Sequence, residues 1–517
     1  MVIDGVSGAT ARLELVRSTM GRLLYCLADY SPTVLYYLEP YVHNLVSIRF
    51  IDSGYHHLHL VELHNRYGHV VRVAPNRLSF TDPTAWQDIY AHHPKTRLAL
   101  PKDPSFYVKA PNGLYYLSAS PDQVHDSMRR LIMPSFSQRA LQDQESALRR
   151  HIESLFSLID ESRSSPMDLG KYLSWLTFDV LGEVGFGRSF ETLKSATNHQ
   201  LVDLLFILPQ AGVLVASLRD FTVLKPLLLF AIPRDIFSKS KLLWTFCQEM
   251  IKVRLDGKAH DRKDIMSFFE GDDERPGLSV PELEANGFLL MFAGAETSGS
   301  VLSAAVSYIA RDKARLKVLR QEIDVHFDDM ASVNPRTCAT LPYLHAVLQE
   351  TLRLAPPVPS PLPHIIPASG VLVCGEMLTA NVIEVSIAPF AISRDNLNFH
   401  LADNFLPERW LAPSDFSRMD VELAWLGKDI KATYQRCINE DCRLVSQPFS
   451  GGPGNCAGMS LAWAEIRFTL AVIVLKYDFE FAEAENELDW ASQRQYSTWE
   501  RMDLMLKATP RQTSRSA

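Results

Sequence analysis

Cysteine is scarce in this chain, with seven thiols in 517 residues, at 26, 247, 338, 374, 437, 442 and 456. An odd number of scattered cysteines does not make the disulfide framework of a small secreted domain, so a reducing compartment is expected. No Cys-x-x-Cys occurs. Cys437 and Cys442 have four residues between them, the wrong spacing for a zinc knuckle, and read as ordinary thiols or a local disulfide. An excess of positive charge is also missing. The 52 Lys and Arg against 60 Asp and Glu leave a net charge of −8, and no long basic stripe offsets it, so nucleic acid is not an expected partner. No run reaches the ~20 apolar residues that a spanning helix needs. The first 50 residues mix apolar patches with Asp4, Arg12, Glu14, Arg17, Arg22, Asp29, Glu39 and Arg49, which matches neither a signal peptide nor an anchor. The apolar stretches 204–218, with Pro209 and Gln210, and 223–232, with Lys225 and Pro226, read as buried helix; a surface loop dipping into a bilayer face is the alternative. Internal repeats and low-complexity tracts are absent. With 47 % hydrophobic and 22 % charged residues, the composition excludes disorder, collagen and coiled coil as whole-chain descriptions.

What is present is mostly helical pattern. Residues 61–67 read as helix, Gly68 as its stop, and Val70-Val71-Arg72-Val73 as a strand. The helical period dominates from Asp122 to about residue 325. Short β-type runs follow at Ile365-Ile366, Val371-Leu372-Val373 and Val382-Ile383-Glu384-Val385, then an irregular Pro- and Asn-rich stretch from Ser393 to Pro448, then a helix from Cys456 to about Lys476. There is no βαβα alternation, so the expected class is mainly α with a small β region. The clustered histidines His56, His57, His59, His92 and His93 lack carboxylates at metal spacing and read as surface residues.

Four stretches carry chemistry. The first is Phe449-Ser450-Gly451-Gly452-Pro453-Gly454-Asn455-Cys456-Ala457-Gly458, directly before a helical pattern. Glycine lets backbone N–H groups approach a ligand. A cysteine before a helix N-terminus sits in positive potential, which favours thiolate, and a thiolate ringed by donors is a good axial ligand for iron. A Gly-rich turn with an incidental buried cysteine fits the same residues. The second is Glu350-Thr351-Leu352-Arg353, on a helix that Thr340 can cap and Pro356-Pro357 ends. Its apolar neighbours Val347, Leu348, Leu352 and Leu354 leave little solvated face, so a buried pair would need a third partner, which Arg409 of Pro407-Glu408-Arg409-Trp410 could supply. The alternative is a solvated i, i+3 pair. The third is the 288–298 segment, behind a Ser279/Glu282 capping box. Ala293, Gly294 and Ala295 strip one turn of side chains, so that something flat could lie there, and Glu296 and Thr297 add an acid and a hydroxyl; a small-residue helix crossing explains the same turn. The fourth places His125 and Arg129 four apart on one helix face, able to hold an anion together or simply solvated.

Taken in this order and spacing, these segments resemble the cytochrome P450 family over residues 61–507. Tyr67-Gly68-His69-Val70-Val71-Arg72-Val73-Ala74-Pro75-Asn76 and Phe178-Asp179-Val180-Leu181-Gly182-Glu183-Val184-Gly185-Phe186-Gly187 look like filamentous-fungal members that modify secondary metabolites. The resemblance implies a single catalytic domain, with 1–60 an atypical N-terminal segment and 508–517 a polar tail. It implies haem b with Cys456 as the proximal thiolate ligand of iron, Phe449 packed beside it, and Gly452 and Gly458 shaping the loop. Glu350, Arg353 and Arg409 would form the structural triad, Thr297 and Glu296 would relay protons to dioxygen, and His125 and Arg129 would reach the haem propionates. Met291, Ala295, Val358, Pro359 and the 106–117 segment would line a site for an apolar small molecule. The implied activity is a haem-thiolate monooxygenase fed by NADPH-cytochrome P450 reductase, since no flavin or nicotinamide fingerprint is present. A silent haem-binding protein and a haem-thiolate isomerase or dehydratase are the competing readings. The implied location is the cytosolic face of the endoplasmic reticulum, with peripheral membrane contact, or the cytoplasm. Three departures from the family pattern stand out: Gly454 replaces the usual Arg or His two residues before the cysteine, His125 replaces a Trp, and the usual N-terminal anchor and hinge are not seen.

Overall fold

The computed structural model describes residues 53–91, 99–162, 164–195, 199–217, 234–256, 264–271, 276–379, 384–482 and 490–511. The stretch 223–232, His92, His93 and most of the 1–60 segment lie outside these residues. The helices of ten residues or more are α1 (His56–Tyr67), α2 (Asp122–Ile132), α3 (Gln138–Glu161), α4 (Leu169–Phe186), α5 (His199–Ser217), α6 (Arg234–Asp256), α7 (Val280–Arg311), α8 (Lys313–His326), α9 (Pro342–Leu354), α10 (Ile430–Glu440) and α11 (Met459–Lys476). The strands are β1 (Val70–Ala74), β2 (Arg77–Phe80), β3 (Met167–Asp168), β4 (His364–Ile365), β5 (Val371–Val373), β6 (Glu376–Leu378), β7 (Glu384–Ile387), β8 (Tyr477–Phe481) and β9 (Met505–Pro510).

The architecture follows from which helices are apolar all round. α4 buries nearly every side chain from Leu169 to Phe186, and α11 buries the run from Ile466 to Leu475. Helices without a polar face belong in a core. Both pack on α7, whose 32 residues start at a Ser279/Glu282 capping box. α7 is long and apolar enough to cross a membrane by composition alone, but 61 % of its most apolar window is buried against its neighbours. A Cβ on Gly294 would stand 2.5 Å from Leu181 Cδ1, and the Thr177 hydroxyl donates to the Ala295 carbonyl at 2.6 Å. The small residues of this turn therefore serve the crossing with α4 as well as any flat ligand.

The sheets are small. One runs β1-β2-β7-β4, antiparallel except for the parallel β2/β7 pair, with Leu78 opposite Val385. A second runs β3-β9-β8, and β5-β6 form a hairpin. Pairing of Tyr477 with Pro510 and Phe479 with Ala508 carries the folded domain past the expected boundary at 507, because β9 needs those residues to complete its ladder.

Three local expectations are corrected. Thr340 does not cap α9; its hydroxyl turns back to Thr337, and the Glu322 carboxylate from α8 instead accepts the N–H groups of Tyr343 and Leu344, both at 2.7 Å. The 393–448 stretch is not wholly irregular, since α10 forms there with Ile430, Tyr434 and Cys437 buried at helical spacing. His57 is a core residue, its Nε2–H donating to the Ala491 carbonyl at 2.9 Å and its ring lying edge-on to Phe390 and Trp499. Cys437 and Cys442 are both free thiols.

The charged node of the core is Glu350. Its carboxylate is wholly buried and accepts from Arg353 at 2.7 and 2.8 Å, Arg409 at 3.1 Å, the Trp410 indole at 2.8 Å and the Leu406 N–H at 2.9 Å. Arg353 spends its remaining donors on the carbonyls of Ser393 and Ala402 at 2.6 Å and Asn404 at 3.0 Å. Arg409 also pairs with buried Asp441. Burial pushes the Glu350 carboxyl up, but Arg353 and Arg409 outweigh it and hold the group at about 2, against an ordinary 4.5. The stabilisation from this charge is therefore complete above pH ~4.5 and is lost as the pH falls toward ~2. Glu350→Gln leaves two buried guanidiniums short of charge and is expected to cost about 3–5 kcal/mol in urea unfolding at neutral pH. A midpoint unchanged from wild type would refute this account of the node.

Candidate active site

The site is a cavity of about 1170 Å³ between α7, α4, the 106–117 segment and the glycine-rich loop. The loop is built to present one sulfur. The Cys456 N–H donates to the Phe449 carbonyl at 2.9 Å, and the Phe449 ring packs near Trp463 with centroids 5.8 Å apart. Gly452 turns the chain at φ +65°, and a Cβ there would stand 2.0 Å from the Tyr90 carbonyl oxygen. The tight turn Trp86–Tyr90 is thus the seat of the loop, and the Trp86 indole fastens it by donating to the Val445 carbonyl at 2.9 Å. Gly458 plays a milder part: a Cβ there would make ordinary contacts, and its contribution is an N–H directed at the cysteine sulfur. Cys456 opens onto the cavity.

The sulfur's electrostatics differ from the expectation that the helix start favours thiolate. Burial among protein atoms dominates and raises the free thiol, while the Gly458 N–H and the Arg129 guanidinium pull it back only in part. Ionisation of Cys456 therefore needs a further positive partner, as a metal ion provides.

Four basic groups gather on one cavity wall. Arg129 donates to the Asn455 carbonyl at 2.7 Å and to the Asn455 side chain, tying α2 to the cysteine loop. His125, on the same face of α2, contacts Asp126 at 3.3 Å, and burial lowers its proton affinity. Lys102 donates to the Ser118 carbonyl at 2.8 Å and is pushed down to about 8 by burial. His364, bridged to Lys102 through the backbone, is lowered to about 4 by burial. Lys102 and His364 were not expected from the sequence; each lies in a loop or short strand with no local pattern to mark it. A Cβ at Gly454 would meet nothing within 4 Å, so the position is open, and the cations near the loop are Arg129 and Lys102.

On the opposite wall, Ala293 and Thr297 of α7 share one face, and the Thr297 hydroxyl donates to the Ala293 carbonyl at 2.7 Å. Glu296 also reaches the cavity and is buried, which raises it to about 8 against a bond from Thr498. Ser298 bonds Glu465 of α11, another buried acid that also lines the cavity, raised by burial to about 7. Of the expected substrate-lining residues, Val358 and the 106–117 segment line the cavity. Met291, Ala295 and Pro359 do not. Met291 is fully buried and Ala295 nearly so, with the Ala295 carbonyl bonded to Thr177 of α4, and Pro359 is buried beside half-buried Val358. The spacing of α7 was right, but its rotation was one face off.

Three features of the chain fit a large, flat, anionic iron cofactor. A sulfur opens onto the floor, cations stand on one wall for carboxylates, and the cavity exceeds the ~300–1,000 Å³ usual for a small ligand alone. The cytochrome P450 family model matches residues 37–501. The chain is 31 % identical to cytochrome P450 monooxygenase astJ of Aspergillus oryzae, over 91 % of this chain and 90 % of the relative. It is 32 % identical to cytochrome P450 monooxygenase aclL of the same species, over 87 % of each. It is also 32 % identical to fusicoccadiene 8-ol C-16-hydroxylase of Phomopsis amygdali, over 87 % of this chain and 83 % of the relative. The chain therefore belongs to the cytochrome P450 family. It is an oxygenase enzyme that uses haem, dioxygen and electrons from a redox partner.

The loop geometry makes a sharp contrast. Gly452→Ala adds both a left-handed backbone penalty of about 1–2 kcal/mol and a clash with Tyr90, and is expected to cut haem content of the purified protein several-fold. Gly454→Ala, in open space, is expected to leave haem content unchanged. Absorbance of the haem band per protein measures both, and equal occupancy in the two variants would sink the argument.

Proposed function

We propose that this protein is a haem b-thiolate monooxygenase that inserts one oxygen atom of dioxygen into an apolar small molecule, in fungal secondary metabolism, with electrons from a separate NADPH-cytochrome P450 reductase. The observation that carries the reading is Cys456 opening onto a cavity whose facing wall presents Thr297 and Glu296. Haem, when bound, supplies dioxygen activation, and a thiolate ligand donates electron density that favours O–O cleavage.

The chain's own residues do the rest. Cys456 would ligate the iron, with Phe449, Gly452 and Gly458 holding the loop that carries it. Arg129, His125 and Lys102 would hold the propionates. The substrate would contact Val358, the 106–117 segment and apolar side chains such as Val184, Leu289 and Phe292. The acid of Glu296 keeps its proton at neutral pH because burial disfavours the charge. Glu296 would supply that proton and the Thr297 hydroxyl would steer it. One relative's name describes hydroxylation of fusicoccadiene 8-ol at C-16, in keeping with the apolar lining.

Two measurements test the reading. The reduced, carbon-monoxide-bound protein should show the red-shifted Soret band of thiolate ligation, and Cys456→Ala should abolish it. Turnover of a substrate found by screening should stop when reductase or NADPH is withheld. Undiminished turnover without them would favour an isomerase or dehydratase, and an unshifted band would favour a silent haem protein.

A further inference from the structure

We propose that Thr498, at the tip of the loop spanning 495–499, is a positioning residue that holds the Glu296 carboxyl at the cavity wall through its hydroxyl. The inference deepens the monooxygenase reading, because Glu296 is the proton source of that reading, but the contact itself can be tested without turnover.

Three consecutive polar residues of α7 point to three different partners. The Thr297 hydroxyl is occupied by the Ala293 carbonyl of its own helix, and Ser298 by Glu465 of α11. Neither bonds Glu296. The hydrogen bond that the structure gives the Glu296 carboxyl comes from the Thr498 hydroxyl, 202 residues away in sequence. Among the described residues, no Lys, Arg or His contributes to the state of Glu296; burial and this one bond set it, and Glu465, another buried acid on the cavity, is engaged by Ser298. Glu296 is 3 % exposed, so without a partner its carboxyl would be a buried group with no fixed orientation.

Thr498 can fix it because the loop is itself held at several points that do not involve the Thr498 side chain. The Trp499 indole donates to the Pro356 carbonyl at 2.8 Å and lies edge-on between His57 and Phe390. Gln495 receives the Ser360 hydroxyl at 2.8 Å, and its N–H donates to the Gly54 carbonyl at 2.7 Å. The Tyr496 N–H donates to the Thr498 carbonyl at 2.8 Å, closing the tip. The hydroxyl is thus delivered by a rigid support, the condition under which one hydrogen bond can orient a reactive group. Both Glu296 and Thr498 line the cavity, so the pair stands where a substrate or water can meet it.

The test compares Thr498→Val, which keeps shape and removes the hydroxyl, with Thr498→Ser, which keeps the hydroxyl, in the haem-loaded protein. The loop anchors are untouched, and the carbon-monoxide spectrum verifies that each variant is folded and loaded. The first readout is the infrared carboxyl band of Glu296, identified by its loss in Glu296→Gln and followed against pH without reductase or substrate. A donated bond favours the ionised form, so Thr498→Val should move the midpoint upward by roughly one pH unit, and Thr498→Ser should restore it. The second readout is product formed per NADPH consumed, which should fall roughly three- to tenfold in Thr498→Val, with the lost electrons appearing as peroxide or water, and recover in Thr498→Ser. A Thr498→Val protein with wild-type midpoint and coupling overturns the proposal. So does a Thr498→Ser protein that matches Thr498→Val, because the methyl group, not the hydroxyl, would then be what matters. A shifted midpoint in a protein that shows no reductase-dependent turnover keeps the contact and rejects the monooxygenase reading alone.

Discussion

A single buried carboxylate organises the half of the molecule that carries the cysteine. Glu350 cannot be ionised in a buried core unless its oxygens are met, and the chain meets them from two places: Arg353 one turn along α9, and Leu406, Arg409 and Trp410 from the segment after β7. That demand gives an otherwise poorly patterned stretch a fixed course. Arg353 gathers three carbonyls between Ser393 and Asn404, and Arg409 reaches on to Asp441 at the end of α10. From there only a short connection leads to Val445, where Trp86 takes hold, and then to the cysteine loop. The charge network and the loop are one continuous support. Arg315 extends it, pairing with Glu408 at 3.0 Å while the Tyr343 hydroxyl bonds the same carboxylate at 2.7 Å, so α8 and α9 grip the same short segment.

The second constraint is close approach. A loop that must bring a sulfur to a cavity and return at once into α11 has no room for side chains on its inner turn. Gly452 shows this directly, with the Tyr90 carbonyl where a Cβ would stand. Gly454 shows the converse. It is glycine in open space, and positive charge stands on the neighbouring wall in Arg129 and Lys102. Arg129 also binds Asn455 next door, so the loop gains a guanidinium contact from outside where its own is missing. This favours an active protein over a silent one, because a chain released from function has no need to keep a substitute.

Much of this was legible in the sequence, and the limits were physical. Motifs that make their own geometry read well: the Ser279/Glu282 capping box and the Glu350/Arg353 pair are local, so spacing alone describes them. The Arg409 contact was reachable because a buried pair in an apolar setting demanded a third partner. What failed needed a rotation or a tertiary partner. The phase of α7 is not set by its spacing, so Met291 and Ala295 were assigned to the cavity when both are buried away from it. The cap of α9 comes from Glu322 on another helix, and no pattern near Thr340 could reveal it. Lys102, His364 and Thr498 are single polar residues in loops or short strands, and only the fold makes them neighbours of anything. His57 was read as surface because histidine clusters usually are, yet its neighbours Phe390 and Trp499 are hundreds of residues away.

The dry cavity wall and the buried acids belong to the same logic. A wall of Val, Leu and Phe suits an apolar ligand, and the same lack of water makes ionisation of Glu296 and Glu465 unfavourable, holding them at about 8 and about 7. An acid that keeps its proton at neutral pH can give it up when negative charge develops nearby, and a carboxylate in water could not be kept in that state. The two acids differ in what faces them. Both line the cavity, Glu465 held by the Ser298 hydroxyl of α7 and Glu296 by the Thr498 hydroxyl from the 495–499 loop. Desolvation makes both groups good proton holders, and their supports differ: the donor to Glu465 sits on α7 itself, whereas the donor to Glu296 is delivered from the 495–499 loop.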